Sequence, residues 1–292
     1  MNNILISNNY GINIDQSNNN AITSNSAILS ILGGIYMSYS SNNTLINNTE
    51  YKNGWGMWLG NSFNNTIKDN HAISNNNSGI SLSASSDNIL INNNASSNVG
   101  AGMYAWSSAR NTLKENFVSS NAYGFSLDSS DINTIINNNV ILNTWYGIVL
   151  SNSSSNVIYN NYFNNINNAL DDGSNIWNTT KTPGANIIGG TWLGGNYWHD
   201  YTGSDSDGDG LGDTLLPYNI HINNGGDYLP LMSHRININI TGVPVTGVSA
   251  RDILKVEYFG FSSGDAFNVS VITSNGSRVY YDNGSLTGQT FR

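Results

Sequence analysis

Cysteine is absent from the 292 residues, so neither disulfides nor thiolate metal sites are available. Charge is scarce at 10%, and 19 Asp and Glu outweigh 10 Lys and Arg for a net of −9. A nucleic-acid partner would require a basic face, and that class is excluded. No apolar run is long enough to span a bilayer. The strong helix formers Ala, Leu, Glu and Lys are too sparse for a helical repeat. The only four prolines, Pro183, Pro217, Pro230 and Pro244, all lie late in the chain. Before them every backbone N–H is kept, as stacked strands demand.

A repeat fills that proline-free stretch. Gly11, Gly34, Gly56, Gly79, Gly102, Gly124 and Gly147 recur at 22 or 23 residues. Six positions after each stands a serine (Ser17 to Ser153), nine after an asparagine (Asn20 to Asn156), and fourteen after another (Asn25 to Asn161). A period in this range means a solenoid of stacked coils. Apolar residues occupy offsets one and three, as in Ile35 and Met37 or Phe125 and Leu127, and again offset eleven, from Ile22 to Ile158. Alternation at two residues marks short strands with one face inward. The expected fold is therefore all-β, a right-handed parallel β-helix. Side chains repeated in successive coils would stand ~4.8 Å apart, close enough for asparagine amides to bond along the stack. Asparagine also tolerates the left-handed backbone of a corner.

The coils are expected over 1–182, with an eighth decaying from Asn168, where Ala169 and Leu170 replace the Gly-Ile pair. The chain opens in mid-coil, with Asn2 placed 23 residues before Asn25. It reads as a fragment lacking a leader and an N-terminal cap. A C-terminal cap is expected over 183–234, because a solenoid end exposes apolar cross-section and strand edges. Trp192, Tyr197 and Trp198 are its candidate covers. Over 235–292, Ile236, Ile238 and Ile240 alternate with polar residues, and strand-like runs follow at 254–261, 267–272 and 278–281. These read as the start of a β-sandwich module.

Within the cap, Asp205, Asp207 and Asp209 occupy positions 1, 3 and 5 of a calcium-type loop, with Gly210 at 6, the Leu211 carbonyl at 7 and Asp213 at 9. A structural Ca2+ is expected there. Position 12 is Leu216, so Asp200 or Asp227 would complete the set.

The coil resembles the parallel β-helix repeat of NosD-like proteins and of carbohydrate-binding and sugar-hydrolysing β-helices. The stretch from Asn186 through Asn196-Tyr197-Trp198 to Met232 resembles the segment ending such helices in archaeal cell-surface proteins of that family. The resemblance covers roughly 1–234. It implies a periplasmic or surface setting, and for NosD proper an accessory role in building a copper site. Copper would call for clustered His, Met or Cys. Here His71, His199, His221 and His234 are scattered, and Met37, Met57 and Met103 sit at core offsets.

Other β-helix members cut or epimerise polysaccharides with clustered carboxylates, so a lyase or glycoside hydrolase is the enzymatic alternative. Asp87, Arg110 and Asp131 are the best cluster, and a surface ion pair is the simpler reading. Asp171-Asp172 is read as a turn at a decaying coil. Offset two should point outward, and there stand Tyr36, Trp58 and Tyr104, with Trp106 at offset four. Tyr10, Trp55, Tyr123 and Tyr146 precede their glycines, with their facing left open. Aromatics in a row could stack on sugar rings or shield neighbouring strands. The expected function is a structural or adhesive one outside the cell or at its surface, with a polysaccharide or cell-envelope glycan as partner.

Overall fold

Each 22- or 23-residue unit makes one turn of a parallel β-helix with three faces. The computed structural model describes residues 2–232 and the strands Asn237–Thr241, Lys255–Phe259, Ala266–Ile272 and Arg278–Ser285. The three parallel sheets hold eight, seven and nine strands. The first takes the segment around each glycine, from Tyr10–Asp15 to Ala169–Asp171. The second runs from Ala21–Thr23 to Val157–Tyr159. The third runs from Ile4–Ile6 to Tyr162–Asn164, and Tyr197–Trp198 joins it last. Among the described residues no helix is long and apolar enough to cross a membrane.

Register stacks like on like. Ile80 lies between Met57 and Met103, and Leu90 between Ile67 and Leu113. Offsets one, three and eleven are buried through the middle coils, as expected, and form one continuous apolar interior. The third sheet adds an inward column of Ala27, Glu50, Ala72, Ala95, Val118, Val140 and Phe163.

Asn70, Asn93 and Asn116 are vertical neighbours. Each Nδ2 donates to the next Oδ1 at 3.0 Å, and each backbone N–H donates to the same oxygen at 2.9–3.0 Å. The second Nδ2 hydrogen reaches back to a carbonyl, as from Asn93 to Ile67 at 2.9 Å. The serine column links each backbone N–H to the next Oγ, as from Ser85 to Ser108 at 2.9 Å. A third asparagine ladder was not anticipated. It runs through Asn53, Asn75, Asn98, Asn121, Asn143 and Asn165.

The ladder asparagines do not carry the left-handed backbone. Through the regular coils the residue just before each one does, as at Asp69 (φ 55°), Asn92 (φ 54°) and Glu115 (φ 57°). That residue turns the corner and delivers the following amide inward. The repeating glycine has a steric reason instead. A Cβ on Gly79 would stand 2.7 Å from the Gly102 carbonyl oxygen and 2.8 Å from Asn98 Nδ2. Glycine lets the first sheet close onto the third ladder.

Both ends differ in detail from the expectation. The first rung of the fourteen-offset ladder is Asn3, which bonds Asn25 at 2.9 Å, and not Asn2. At the far end Asn168, not Ala169, takes the glycine's place, since Ala169 pairs with Ile148. Trp198 covers the core, stacked on Phe163 at 4.8 Å and on Tyr218 at 4.2 Å. Trp177 is equally buried beside it. Tyr197 extends the outer stack on Tyr162 at 4.5 Å. Trp192 covers nothing of the core. It sits on a two-stranded side ribbon, under the Lys181 ammonium at 4.9 Å.

Met1–Met232 form one compact unit and Ser233–Arg292 a second. In the second, Asn237–Thr241 pairs antiparallel with Lys255–Phe259, and Ala266–Ile272 with Arg278–Ser285. Ile236, Leu254, Phe261 and His234 lie outside the described residues, as does any packing of these pairs into a sandwich.

Candidate functional site

The outward row of the first sheet follows from period-two alternation on strands whose inward residues are fixed by the core. Tyr10, Tyr36 and Trp58 form a continuous outer stack. Ring centroids are 4.5 Å apart at both steps, and Tyr36 and Trp58 lie within 9° of parallel. The next rung is Ser81, which pairs with Trp58 below and Tyr104 above. Trp58, Ser81, Ser83 and Tyr104 line a cleft of about 210 Å³, with Trp55 and Trp106 on its rim. Of the expected ligand residues, Trp58, Tyr104 and Trp106 converge on this cleft, whereas Tyr36 lies behind Trp58 in the stack. Trp55 faces the same cleft. Its orientation was open because the backbone at Gly56 decides it. Burial, and then the nearby Asp128, push the Tyr104 phenol up.

The acidic loop brings three of its expected residues together. Carboxylate oxygens of Asp205, Asp207 and Asp209 lie within 4.8 Å of one another. The Asp205 carboxylate accepts from Gly208 N at 2.7 Å and Gly210 N at 2.8 Å, which shapes the turn. Leu211 N donates to Asp209 Oδ1 at 2.7 Å. Asp213 turns to Ser206 N at 2.6 Å. Lys181 Nζ contacts the Asp209 carboxylate and supplies one positive charge to the group.

Asp200 and Asp227 do not complete this loop, because each finishes a ladder. The ladders run donor-first toward the C-terminus, so their last rungs are left with N–H groups that need an acceptor. Asn168 Nδ2 donates to Asp200 at 2.7 Å, Asn175 Nδ2 to Asp171 at 2.8 Å, and Asn196 N to Asp227 at 2.6 Å. Trp177 Nε1 and Trp198 Nε1 bond to Asp171 and Asp227 at 2.9 and 2.8 Å. Burial pushes the Asp227 carboxyl up to about 7, against these hydrogen bonds. Asp171 is raised for the same reason.

Asp87 and Arg110 form an exposed two-pronged pair, Nε to Oδ1 and Nη2 to Oδ2 both at 2.7 Å. The guanidinium holds the Asp87 carboxyl below its usual range. Asp131 takes no part in this pair, because its side chain accepts from Ser154 N at 2.7 Å. Asp172 similarly accepts from Asn152 N at 2.7 Å.

A family model described as "Periplasmic copper-binding protein (NosD)" matches residues 1–81 and 56–203. The chain belongs to the NosD family. No curated protein matches it. Among solved structures, this chain is similar to a mutant of the periplasmic alginate epimerase AlgG. The TM-score is 0.54 at 19% identity, covering 57% of this chain and 46% of that one. A second AlgG mutant gives 0.51 at 22% identity over 57% and 43%. The Azotobacter vinelandii mannuronan C-5 epimerase AlgE6 A-module gives 0.46 at 17% over 60% and 58%. This chain thus spans less than half of either AlgG chain. At these identities the AlgG likeness establishes the parallel β-helix fold and nothing finer.

The family description raises copper, and the described residues do not fit it. His71 is exposed on the third sheet, between Thr49 and Asn94. His199 Nδ1 bonds Asn168 at 3.0 Å, and His221 packs edge-on to Tyr146 at 6.3 Å. Met37, Met57 and Met103 are core packing, at most 2% exposed. Among the described residues, the only gathered set of three His, Asp or Glu is the all-oxygen group at Asp205, Asp207 and Asp209. Hard carboxylate donors suit calcium, whereas copper sites draw on imidazole and sulfur.

Proposed function

We propose that this NosD-family chain is a glycan-holding β-helix that works outside the cytoplasm, in a structural or adhesive role. The coils of 1–182 form the display surface and the segment 183–234 closes it. One observation carries the reading: Trp58, Tyr104, Trp55 and Trp106 converge on one outward cleft of a sheet whose inward face is already fully packed. Their flat apolar faces suit the C–H faces of sugar rings. The family description, periplasmic, supports the location. AlgG, which shares the fold, is by its name an epimerase of alginate, and this supports a polysaccharide partner. Asp87 and Arg110 are spent on each other, and this favours holding over cutting. Glycan-array binding is expected for the intact chain and is expected to fall at least tenfold in Trp58→Ala and Tyr104→Ala. Unchanged binding in both variants would remove the reading. Turnover of an acidic polysaccharide would replace it with the lyase or hydrolase alternative.

We further propose that Asp205, Asp207, Asp209, the Leu211 carbonyl and Asp213 hold a structural Ca2+ that stiffens the cap. The gathered carboxylates and the loop spacing support this. Calcium at a hundred times its dissociation constant would add ~2.7 kcal/mol to stability. The expected result is a calcium-dependent rise in melting temperature that is lost in Asp205→Ala. A flat calorimetric titration with an unmoved melting temperature would remove the ion.

A further inference from the structure

The outer aromatic stack has a missing rung, and the gap has the dimensions of one ring. Tyr36 and Trp58 fill successive rungs of one column at 4.5 Å, and Tyr10, from the position paired with Gly33, leans onto Tyr36 at the same distance with a 38° tilt. Ser81 then interrupts the column, and Tyr104 resumes it one coil later. Two strand spacings separate the Trp58 and Tyr104 positions, ~9.6 Å, which leaves room for one more ring at the spacing of the stack. The cleft volume of about 210 Å³ lies below the range for drug-sized ligands.

The floor of the gap is polar. Ser81 is only 1% exposed, and its hydroxyl has no hydrogen-bond partner among the described residues. Buried hydroxyls are nearly always paired, so a lone one at the base of a cleft calls for a partner from outside the chain. Ser83 lines the same floor. An occupant must therefore present two apolar faces and a hydroxyl-bearing edge. A pyranose has that form, and a planar aromatic hydrocarbon does not.

The sheet around the gap also selects on charge. Its eight strands contain no Lys, Arg or His, and on their outer side they carry Asp15 and Asp128. Asp128 pairs with Trp106 on the rim. A uronate would meet no cation here and would be repelled.

We infer that the gap between Trp58 and Tyr104 is a slot for a single uncharged pyranose ring, sandwiched between the two aromatics with a ring hydroxyl bonded to Ser81. This rests on the glycan-holding reading above and adds which ring enters, where and with what charge.

The test is calorimetric titration of the full chain with mannohexaose, cellohexaose, chitohexaose and an oligomannuronate. At least one neutral oligomer is expected to bind and the oligomannuronate to bind at least tenfold more weakly. Ser81→Tyr completes the stack and is expected to abolish binding without lowering the melting temperature. Ser81→Ala removes only the hydroxyl and is expected to weaken binding severalfold. Wild-type affinity in Ser81→Tyr overturns the slot, and loss of binding in Trp58→Ala alongside it would leave the glycan reading standing. If Ser81→Tyr does not fold, unchanged affinity in Ser81→Ala overturns the hydroxyl contact. Tighter binding of the oligomannuronate overturns the charge selection. No binding by any oligomer sinks both inferences.

Discussion

Asn93→Ala is expected to cost roughly 3–6 kcal/mol, far more than a typical single substitution. Three groups lose their partner at once. Asn70 N and Asn70 Nδ2 both donate to Asn93 Oδ1 at 3.0 Å, and the Ile67 carbonyl accepts from Asn93 Nδ2 at 2.9 Å. All lie in the buried interior, where each orphaned group costs about 1–3 kcal/mol. Water cannot substitute, because the residues above and below are also asparagines at full burial. Bonds running in one direction along the ladder also polarise one another, so breaking the middle weakens both sides. Asn20→Ala is the control. Asn20 is exposed, and among the described contacts its Oδ1 accepts from no lower coil. That variant is expected to lose under ~1 kcal/mol. Urea denaturation of the pair makes the comparison. Equal losses would mean that the ladder is decoration on a fold held by its apolar interior alone.

What the sequence disclosed was what repeats. Glycine, serine and two asparagine columns fixed the coil and its inward residues, because a side chain repeated at constant offset must meet its own kind in the next coil. The third ladder obeys the same rule. It was missed because its first rung is Ser30 and, near its end, Asn165 slips by one residue. The ladder ends were not legible at all. Asn168, Asn175 and Asn196 stand 3, 19 and 35 residues from the rungs they continue. Their aspartate partners depend on how the cap folds back. The same fold-back explains the fates of Asp200 and Asp227, which spacing alone grouped with the acidic loop. The corner geometry was half legible. Asparagine content pointed to turns, but the left-handed residue is whichever one precedes the rung, including Ile132 and Leu142. In the candidate site, the aromatics could be read from alternation. The slot could not, because it arises from an unremarkable serine between two of them.

Glu50→Met is expected to stabilise the protein at pH 8 and to change little at pH 4. Glu50 stands in an inward column between Ala27 and Ala72, is fully buried, and neither carboxyl oxygen has a hydrogen-bond partner among the described residues. Burial therefore raises its pKa well above the ordinary value of 4.5. The sign follows from proton counting. Below about 4.5 both folded and unfolded chains hold the proton, and the carboxyl is neutral in each. Above it the unfolded chain releases the proton while the folded chain keeps it, so unfolding becomes more favourable as pH rises. Each pH unit in that window removes about 1.4 kcal/mol until the raised folded value is reached. Methionine is unbranched and adapts to irregular space, so it can follow the same path between the alanine rungs without burying a polar group. A gain of about 2–4 kcal/mol at pH 8 is expected, against less than ~1 at pH 4. Asp227, raised to about 7, contributes a slope of the same sign in both proteins and cancels in their difference. Melting curves of wild type and variant from pH 4 to pH 8 should therefore diverge. Curves that stay parallel would show that Glu50 is ionised in the fold, with a partner for its charge, and its place in the column would then need a different explanation.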